Sequence, residues 1–280
     1  MNRDKQIMEA RTAYLRDGAA VLRGVLDQSW IEKMRGAVDE ILAAPGEISV
    51  EYTPKDKQGR YYGDFFIWRR HDAFRDLVFN SPLARLAAEI MESDRIDFFY
   101  DQLLVKEPMT AEPTPVHQDL PYWPVRGEQI ISIWIPFDPV TPETGVVQYL
   151  KGSHKWGKTF APEAFSKDSG FAEIYAKMDL EPIDEVRDNL DAFEKITWSL
   201  EPGDVIIHHP LTVHFAPGNQ SASTRRRALA LRYTGDDAVY DARPGTFITN
   251  PKVAAALPEI MLQDGDPLEC DLFPCVIRPD

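Results

Sequence analysis

The 280-residue chain is short of cysteine, of basic charge and of long apolar runs, and each shortage removes a class of function. Cys270 and Cys275 are the only cysteines. They cannot build a disulfide framework or an all-cysteine metal site, and both are expected to be free thiols. No apolar stretch approaches the roughly 18 residues of a membrane span. The opening residues, MNRDKQIMEARTAYLRDG, lack the apolar segment of a secretion signal. A cytoplasmic protein without a membrane partner is therefore expected. Lys and Arg total 31 against 45 Asp and Glu, for a net charge of −14. That balance disfavours nucleic acid, whose binding rests on neutralised phosphates, and large polyanions generally. No Gly/Ser-rich linker or internal repeat divides the chain, so one domain over 1–280 is expected. None of these features sets the oligomeric state.

Helices are expected over 3–17 and 29–43, the second beginning near Asp27 as a cap, with a short strand at 20–25 between them. Two more helical stripes cover 72–79 and 82–93. From about 94 to 235 the pattern becomes β, with strands at 96–106, 129–137, 146–150, 204–208, 211–215 and 226–233. A charged, partly helical insertion over 157–196 interrupts this run and is too long for a hairpin connection. The tail, 236–280, carries only short apolar pieces. About seven short strands behind a helical section (1–93) predict a mainly β fold, a sandwich or barrel with appended helices.

Chemistry concentrates at Pro115-Val116-His117-Gln118-Asp119-Leu120. In an extended strand His117 and Asp119 point to one face and Gln118 to the other. One more histidine would complete a two-His, one-carboxylate face, the arrangement that suits non-heme Fe(II) oxygenases. His71 reads as a surface residue and His154 as a structural hydrogen-bonding one, while His208, His209 and His214 lie at strand ends and remain open as the third ligand. A 2-oxo acid cosubstrate would need a fixed cation for its far carboxylate, best an arginine fork. Arg225, Arg226 and Arg227 begin a strand expected to return beside His214 in a hairpin-like path. Alternation groups Arg226 with the small Ala228 and Ala230, and Arg225 and Arg227 with Leu229 and Leu231. The aromatic segment from Tyr61 to Arg70 reads either as a core strand or as a pocket wall. Phe66, Trp68, Tyr122 and Trp123 are the candidate substrate-pocket residues, supported by Tyr61 and Phe65, with Arg69, Arg70 or Arg126 available to an anionic group.

These pieces together resemble the phytanoyl-CoA dioxygenase family of Fe(II)/2-oxoglutarate-dependent oxygenases. The resemblance runs in order through Asp17-Gly18, Val21-Leu22-Arg23-Gly24-Val25, Lys106-Glu107-Pro108, His117-Gln118-Asp119 and Tyr122-Trp123-Pro124. It continues through Gly145-Val146-Val147, Gly152-Ser153-His154, Gly203-Asp204-Val205, His209-Pro210-Leu211, His214, Asn219 and the Arg-rich strand. It implies a double-stranded β-helix, the jelly-roll or cupin-like core. It assigns iron to His117, Asp119 and His214 and the 2-oxoglutarate carboxylate to Arg226, twelve residues after His214, with Arg225 as the alternative. Gln102 and Trp134 become cosubstrate contacts by position. Ala216 stands where relatives often have a small hydroxyl residue, so that hydrogen bond is missing. Asp119 stands where related halogenases have a small residue, which disfavours halogenation. The implied function is hydroxylation or another C–H oxidation of a small organic metabolite, with Fe(II), 2-oxoglutarate and O2, releasing succinate and CO2. The acidic chain offers no basic cradle for CoA phosphates. The competing readings are a cupin-like metal-dependent hydrolase or isomerase that uses no 2-oxoglutarate, and a non-catalytic metabolite-binding protein.

Overall fold

A computed structural model describes residues 3–165 and 170–279. Its β framework is two facing antiparallel sheets. The first 8-stranded sheet contains β1 (Ala19–Leu22), β2 (Val50–Glu51), β3 (Tyr61–Phe65) and β4 (Ile96–Lys106). The smaller sheet begins with β5 (Thr114–His117), and a minor pair with β6 (Val125–Arg126). Then come β7 (Ile130–Pro136), β8 (Gln148–Leu150), β9 (Lys195–Thr197), β10 (Val205–His208), β11 (His214–Ala216), β12 (Arg226–Thr234), β13 (Val239–Tyr240) and β14 (Cys275–Ile277). The large sheet runs β1-β10-β7-β12-β4-β3-β2, with β14 also on β4; the small one runs β5-β11-β8-β9. This is a jelly roll with added helices.

The alternation of β12 explains how the layers meet. Leu229, Leu231 and Tyr233 are buried in the main apolar core with residues of α1 (Arg3–Asp17), α2 (Gln28–Ala43), α3 (Asp72–Asn80) and α4 (Leu83–Met91). Ala228 and Ala230 point the other way, into a second core between the sheets with Trp134, Tyr149 and Ala216. Successive residues of a strand face opposite sides, so one strand contributes to both layers. The helices follow their own periodicity. Asp27 caps α2 by accepting from the Trp30 amide (3.1 Å), and Ile31, Met34, Val38 and Ile41 form its buried stripe.

The expected strand at 211–215 is only partly present. Leu211 to Val213 form a turn, and β11 begins at His214. The hairpin expected between His214 and the Arg-rich strand is also absent: β11 pairs with β5 and β8, whereas β12 pairs with β4 and β7 in the opposite sheet. The chain crosses the sandwich at that point, a long-range choice that strand propensity does not encode. The insertion at 157–196 contains α5 (Ala172–Tyr175), α6 (Asp184–Asp188) and the start of β9; its residues 166–169 lie outside the described ones. Cys270 and Cys275 are free, as expected.

One core carboxylate gives the fold a pH dependence. Asp101 on β4 is fully buried, and burial pushes its carboxyl up to about 7, although one oxygen accepts from the Trp68 amide (3.0 Å). A carboxyl raised in the folded state binds protons that the unfolded chain releases, so stability is lost as pH rises from about 4 through about 7. Asp101→Asn keeps the acceptor and removes the charge. Its melting temperature is expected to exceed the wild-type value at pH 8 and to converge with it near pH 4; parallel pH profiles would contradict this assignment.

Candidate active site between the sheets

His117 ends β5 and His214 begins β11, and the two residues are directly paired across these strands. Their ring centroids lie 4.1 Å apart. Each ring is oriented by its own backbone: Nδ1 of His117 donates to the Pro115 carbonyl (2.8 Å), and Nδ1 of His214 to the Thr212 carbonyl (2.9 Å). A carbonyl only accepts, so Nδ1 carries the proton and each Nε2 presents a lone pair. Asp119 reaches them by a bend rather than by strand alternation. Its backbone is helical (φ −76°, ψ −43°) at the cap of the turn Leu120–Tyr122. The Asp119 and Leu120 amides both donate to the Pro210 carbonyl (2.8 and 3.0 Å), which ties this bend to the His208–His214 connection. Gln118 does turn away: its amide bonds the Lys158 and Leu211 carbonyls and the Phe160 amide.

The His117, Asp119 and His214 donor atoms all lie within 4.8 Å of one another, a spacing that one metal ion can span, and all three residues are buried. Two imidazole lone pairs and one carboxylate fit Fe(II). Burial alone would raise the Asp119 carboxyl. The Arg232 charge and the bond from His208 outweigh it and hold the group well below the usual range. Burial, together with the charges of neighbouring histidines, holds His214 well below its ordinary value, which favours the neutral ligand form.

A cavity extends from this face between the sheets, past Trp134, Ala216 and Ala230, to Arg226. Arg226 is 1% exposed, and its Nε and Nη2 have no hydrogen-bond partner among the described residues. Its guanidinium lies 5.6 Å from the Trp134 ring centroid. No carboxylate pairs with it among the described residues. A buried cation with free donors fits an incoming carboxylate. Arg225 is turned outward and occupied, with Glu107 and Asp39 each at 2.7 Å. Arg227 is held by Asp138 (2.7 Å). Gln102 and Trp134 both line the inner cavity.

A second cavity, more open, meets the first at Gln102, His117 and Asp119. Tyr122 and Trp123 line it, as the sequence predicts, together with Tyr52, Phe65, Tyr100, Tyr175 and Phe247. Phe66 and Trp68 do not, which corrects two expected pocket residues. The expected strand over 61–70 ends at Phe65, because Phe66 adopts a left-handed backbone (φ 52°). The pleat thereby leaves Phe65 toward the cavity and sends Phe66 into the core. Trp68 follows in a short turn and packs on Phe98 and Phe79. Trp68→Ala is expected to cost about 3–5 kcal/mol of stability, as for other buried aromatics, while cosubstrate affinity stays unchanged by calorimetry. Arg69 donates to the Asp271 carbonyl, Arg70 pairs with Asp64, and Arg126 with Asp264, so none of the three lines the aromatic cavity. His71 caps α3, and His154 bonds the Leu15 carbonyl.

Sequence reasoning missed Arg232 and weighed His208 only as an alternative third ligand. Both are buried and both face Asp119: His208 Nε2 is 3.1 Å, and an Arg232 nitrogen 3.6 Å, from Oδ2. The signal for Arg232 was available, since it continues the inward series Arg226, Ala228, Ala230 by one more alternate position.

Comparison with known proteins agrees with this geometry. The family model for phytanoyl-CoA dioxygenase matches residues 14–228. The human peroxisomal phytanoyl-CoA dioxygenase is 23% identical over 260 residues, covering 87% of this chain and 72% of that protein. Among solved structures, the α-ketoglutarate-dependent epimerase SnoN from nogalamycin biosynthesis has a TM-score of 0.73 at 23% identity, covering 98% of this chain and 97% of its own. The carbocyclase SnoK from the same biosynthesis also has a TM-score of 0.73, at 25% identity, covering 96% and 95%. The match over most of its length makes this chain a member of the phytanoyl-CoA dioxygenase family of Fe(II)/2-oxoglutarate-dependent oxygenases.

Proposed function

We propose that the protein oxidises a C–H bond of a small organic molecule, with hydroxylation as the leading outcome, and that His117, Asp119 and His214 hold the iron. Bound Fe(II), with 2-oxoglutarate and O2, supplies C–H oxidation and releases succinate and CO2. The chain's own groups account for the rest. The Nε2 atoms of His117 and His214 and one oxygen of Asp119 provide one ligand face and leave the opposite side open. Arg226 takes the distal carboxylate of 2-oxoglutarate at the closed end of the inner cavity, with Trp134 beside it and Gln102 nearer the ligand face. The apolar walls there exclude water and strengthen that ion pair. Tyr52, Phe65, Tyr122 and Trp123 offer rings to a substrate with apolar surface in the outer cavity, which opens onto the same ligand face. Solved relatives support a small organic substrate: the SnoN complex contains Fe3+, α-ketoglutarate and nogalamycin RO, and an EctD structure contains 2-oxoglutarate and 5-hydroxyectoine.

The observation that carries this reading is Arg226, a buried guanidinium with free donors facing a cavity that ends on two histidines and an aspartate. A hydrolase or isomerase working without a 2-oxo acid has no use for that cation. The test is anaerobic titration of the Fe(II)-loaded protein with 2-oxoglutarate. A metal-to-ligand charge-transfer band in the visible is expected, followed on admitting O2 by succinate. Absence of both would remove the proposal.

A further inference from the structure

We infer that His208 and Arg232 are positioning residues for the carboxylate ligand: together they hold Oδ2 of Asp119, so that Oδ1 alone faces the metal. The inference rests on the ligand assignment above and adds a pair of residues that it does not use.

The two oxygens of Asp119 have different surroundings. Oδ1 is the one nearest the paired histidines, 3.6 Å from Nε2 of His117 and 4.0 Å from Nε2 of His214. Oδ2 faces away from them, 3.1 Å from Nε2 of His208 and 3.6 Å from the Arg232 guanidinium. The sheet builds this arrangement by register. His208 on β10 pairs with Ser132 on β7, and Ser132 pairs with Arg232 on β12. One cross-strand row therefore carries a long side chain on each flank of a small one. Paired residues share a face, so both long side chains rise over Ser132 toward the same oxygen.

Each partner is itself fixed. Nε2 of His208 donates to a carboxylate, which only accepts; in the neutral ring Nδ1 then accepts, and the Tyr149 hydroxyl is 3.4 Å from it. Arg232 lies 4.6 Å from the Tyr100 ring centroid and 5.5 Å from that of Trp123. It also donates to Oε1 of Gln102 (2.8 Å). A carboxylate free to swing could offer both oxygens to the ion and occupy a position that 2-oxoglutarate or O2 requires. Holding Oδ2 prevents this. Outer partners of metal ligands typically contribute 10–100-fold in metal affinity.

The test compares His208→Phe and Arg232→Met with the conservative His208→Gln, whose amide can replace the Nε2 donor. Co(II), a substitute for Fe(II) that is stable in air, is titrated into each metal-free full-length protein by calorimetry. The Fe(II)/2-oxoglutarate charge-transfer band is then recorded anaerobically, and circular dichroism checks folding. His208→Phe and Arg232→Met are expected to weaken Co(II) by about 10–100-fold and to displace the band, while His208→Gln stays near the wild type on both. Wild-type affinity and an unchanged band in the Phe and Met variants would overturn the inference. So would a Gln variant as weak as Phe, since ring packing would then be the cause. If Phe or Met does not fold, the comparison of His208→Gln with Arg232→Lys decides: the inference requires Gln to keep the band position and Lys, which lacks the fork, to displace it. Failure of the wild type itself to bind Co(II) would instead remove the underlying ligand assignment.

Discussion

Arg226→Met is expected to abolish practical 2-oxoglutarate binding while making the cosubstrate-free protein more resistant to heat. The two effects have one cause. The guanidinium is buried, its Nε and Nη2 are unpartnered among the described residues, and burial holds its pKa below the ordinary arginine value. The folded protein therefore carries a desolvated cation whose compensation arrives only with a ligand. Removing one partner of a buried charge pair costs about 2–5 kcal/mol of binding, which is roughly a 30-fold to several-thousand-fold loss of affinity. Replacing the cation with an apolar side chain of similar length relieves the desolvation in the free protein, so its melting temperature should rise by a few degrees. Calorimetric titration and a thermal melt read the two effects separately. Unchanged 2-oxoglutarate affinity would show that another group takes the carboxylate. Arg225→Ala serves as the control, because that side chain is paired with Glu107 and Asp39 on the outer side.

Asp119→Ala is expected to move stability in the opposite direction and to remove iron-dependent turnover. The carboxylate is depressed well below its usual range because Arg232 and His208 outweigh the burial that would raise it. A depressed carboxyl contributes stability above its unfolded value, and that contribution is lost as pH falls through the lower folded value. At neutral pH the alanine variant forfeits it and leaves Arg232 without its anion. The ligand face loses its only negative charge at the same time. Metal affinity should therefore fall by more than the roughly 100-fold that losing an outer partner costs. Succinate formation and Co(II) titration measure the loss, and a fully active Asp119→Ala enzyme would refute the ligand assignment.

The contrast between these two side chains also explains what could be read in advance. Local patterns carried β4, β12, α2 and the His117-Gln118-Asp119 stretch, because propensity, alternation and capping are written in neighbouring residues. Non-local choices were not legible. Nothing in the residues after His214 announces that the chain changes sheets before Arg226. The convergence of Asp119 with the histidines was anticipated, but by the wrong geometry: the strand ends at His117 and a helical bend does the work. The exchange of Phe65 for Phe66 in the cavity wall depends on one left-handed residue, a conformation for which phenylalanine gives no signal. The burial of Arg232, 3% exposed, was legible in the alternation of β12, but its partner Asp119 comes from the opposite sheet and was not.

The double duty of β12 sets where the chain can tolerate a change in length. Arg226, Ala230 and Arg232 line the cavity, Ala228 packs between the sheets, and Leu229, Leu231 and Tyr233 lie in the core with the helices. Deleting or adding one residue inside the strand would exchange the two sets, placing guanidinium groups against the helical layer and leucines beside Asp119. Length variation between His214 and Arg226 must therefore be absorbed in the turn at 217–225, before the ladder with β4 and β7 begins. Natural or engineered insertions that preserve function belong in that turn, and a single-residue indel after Arg226 should behave as a null allele even though every residue type remains present.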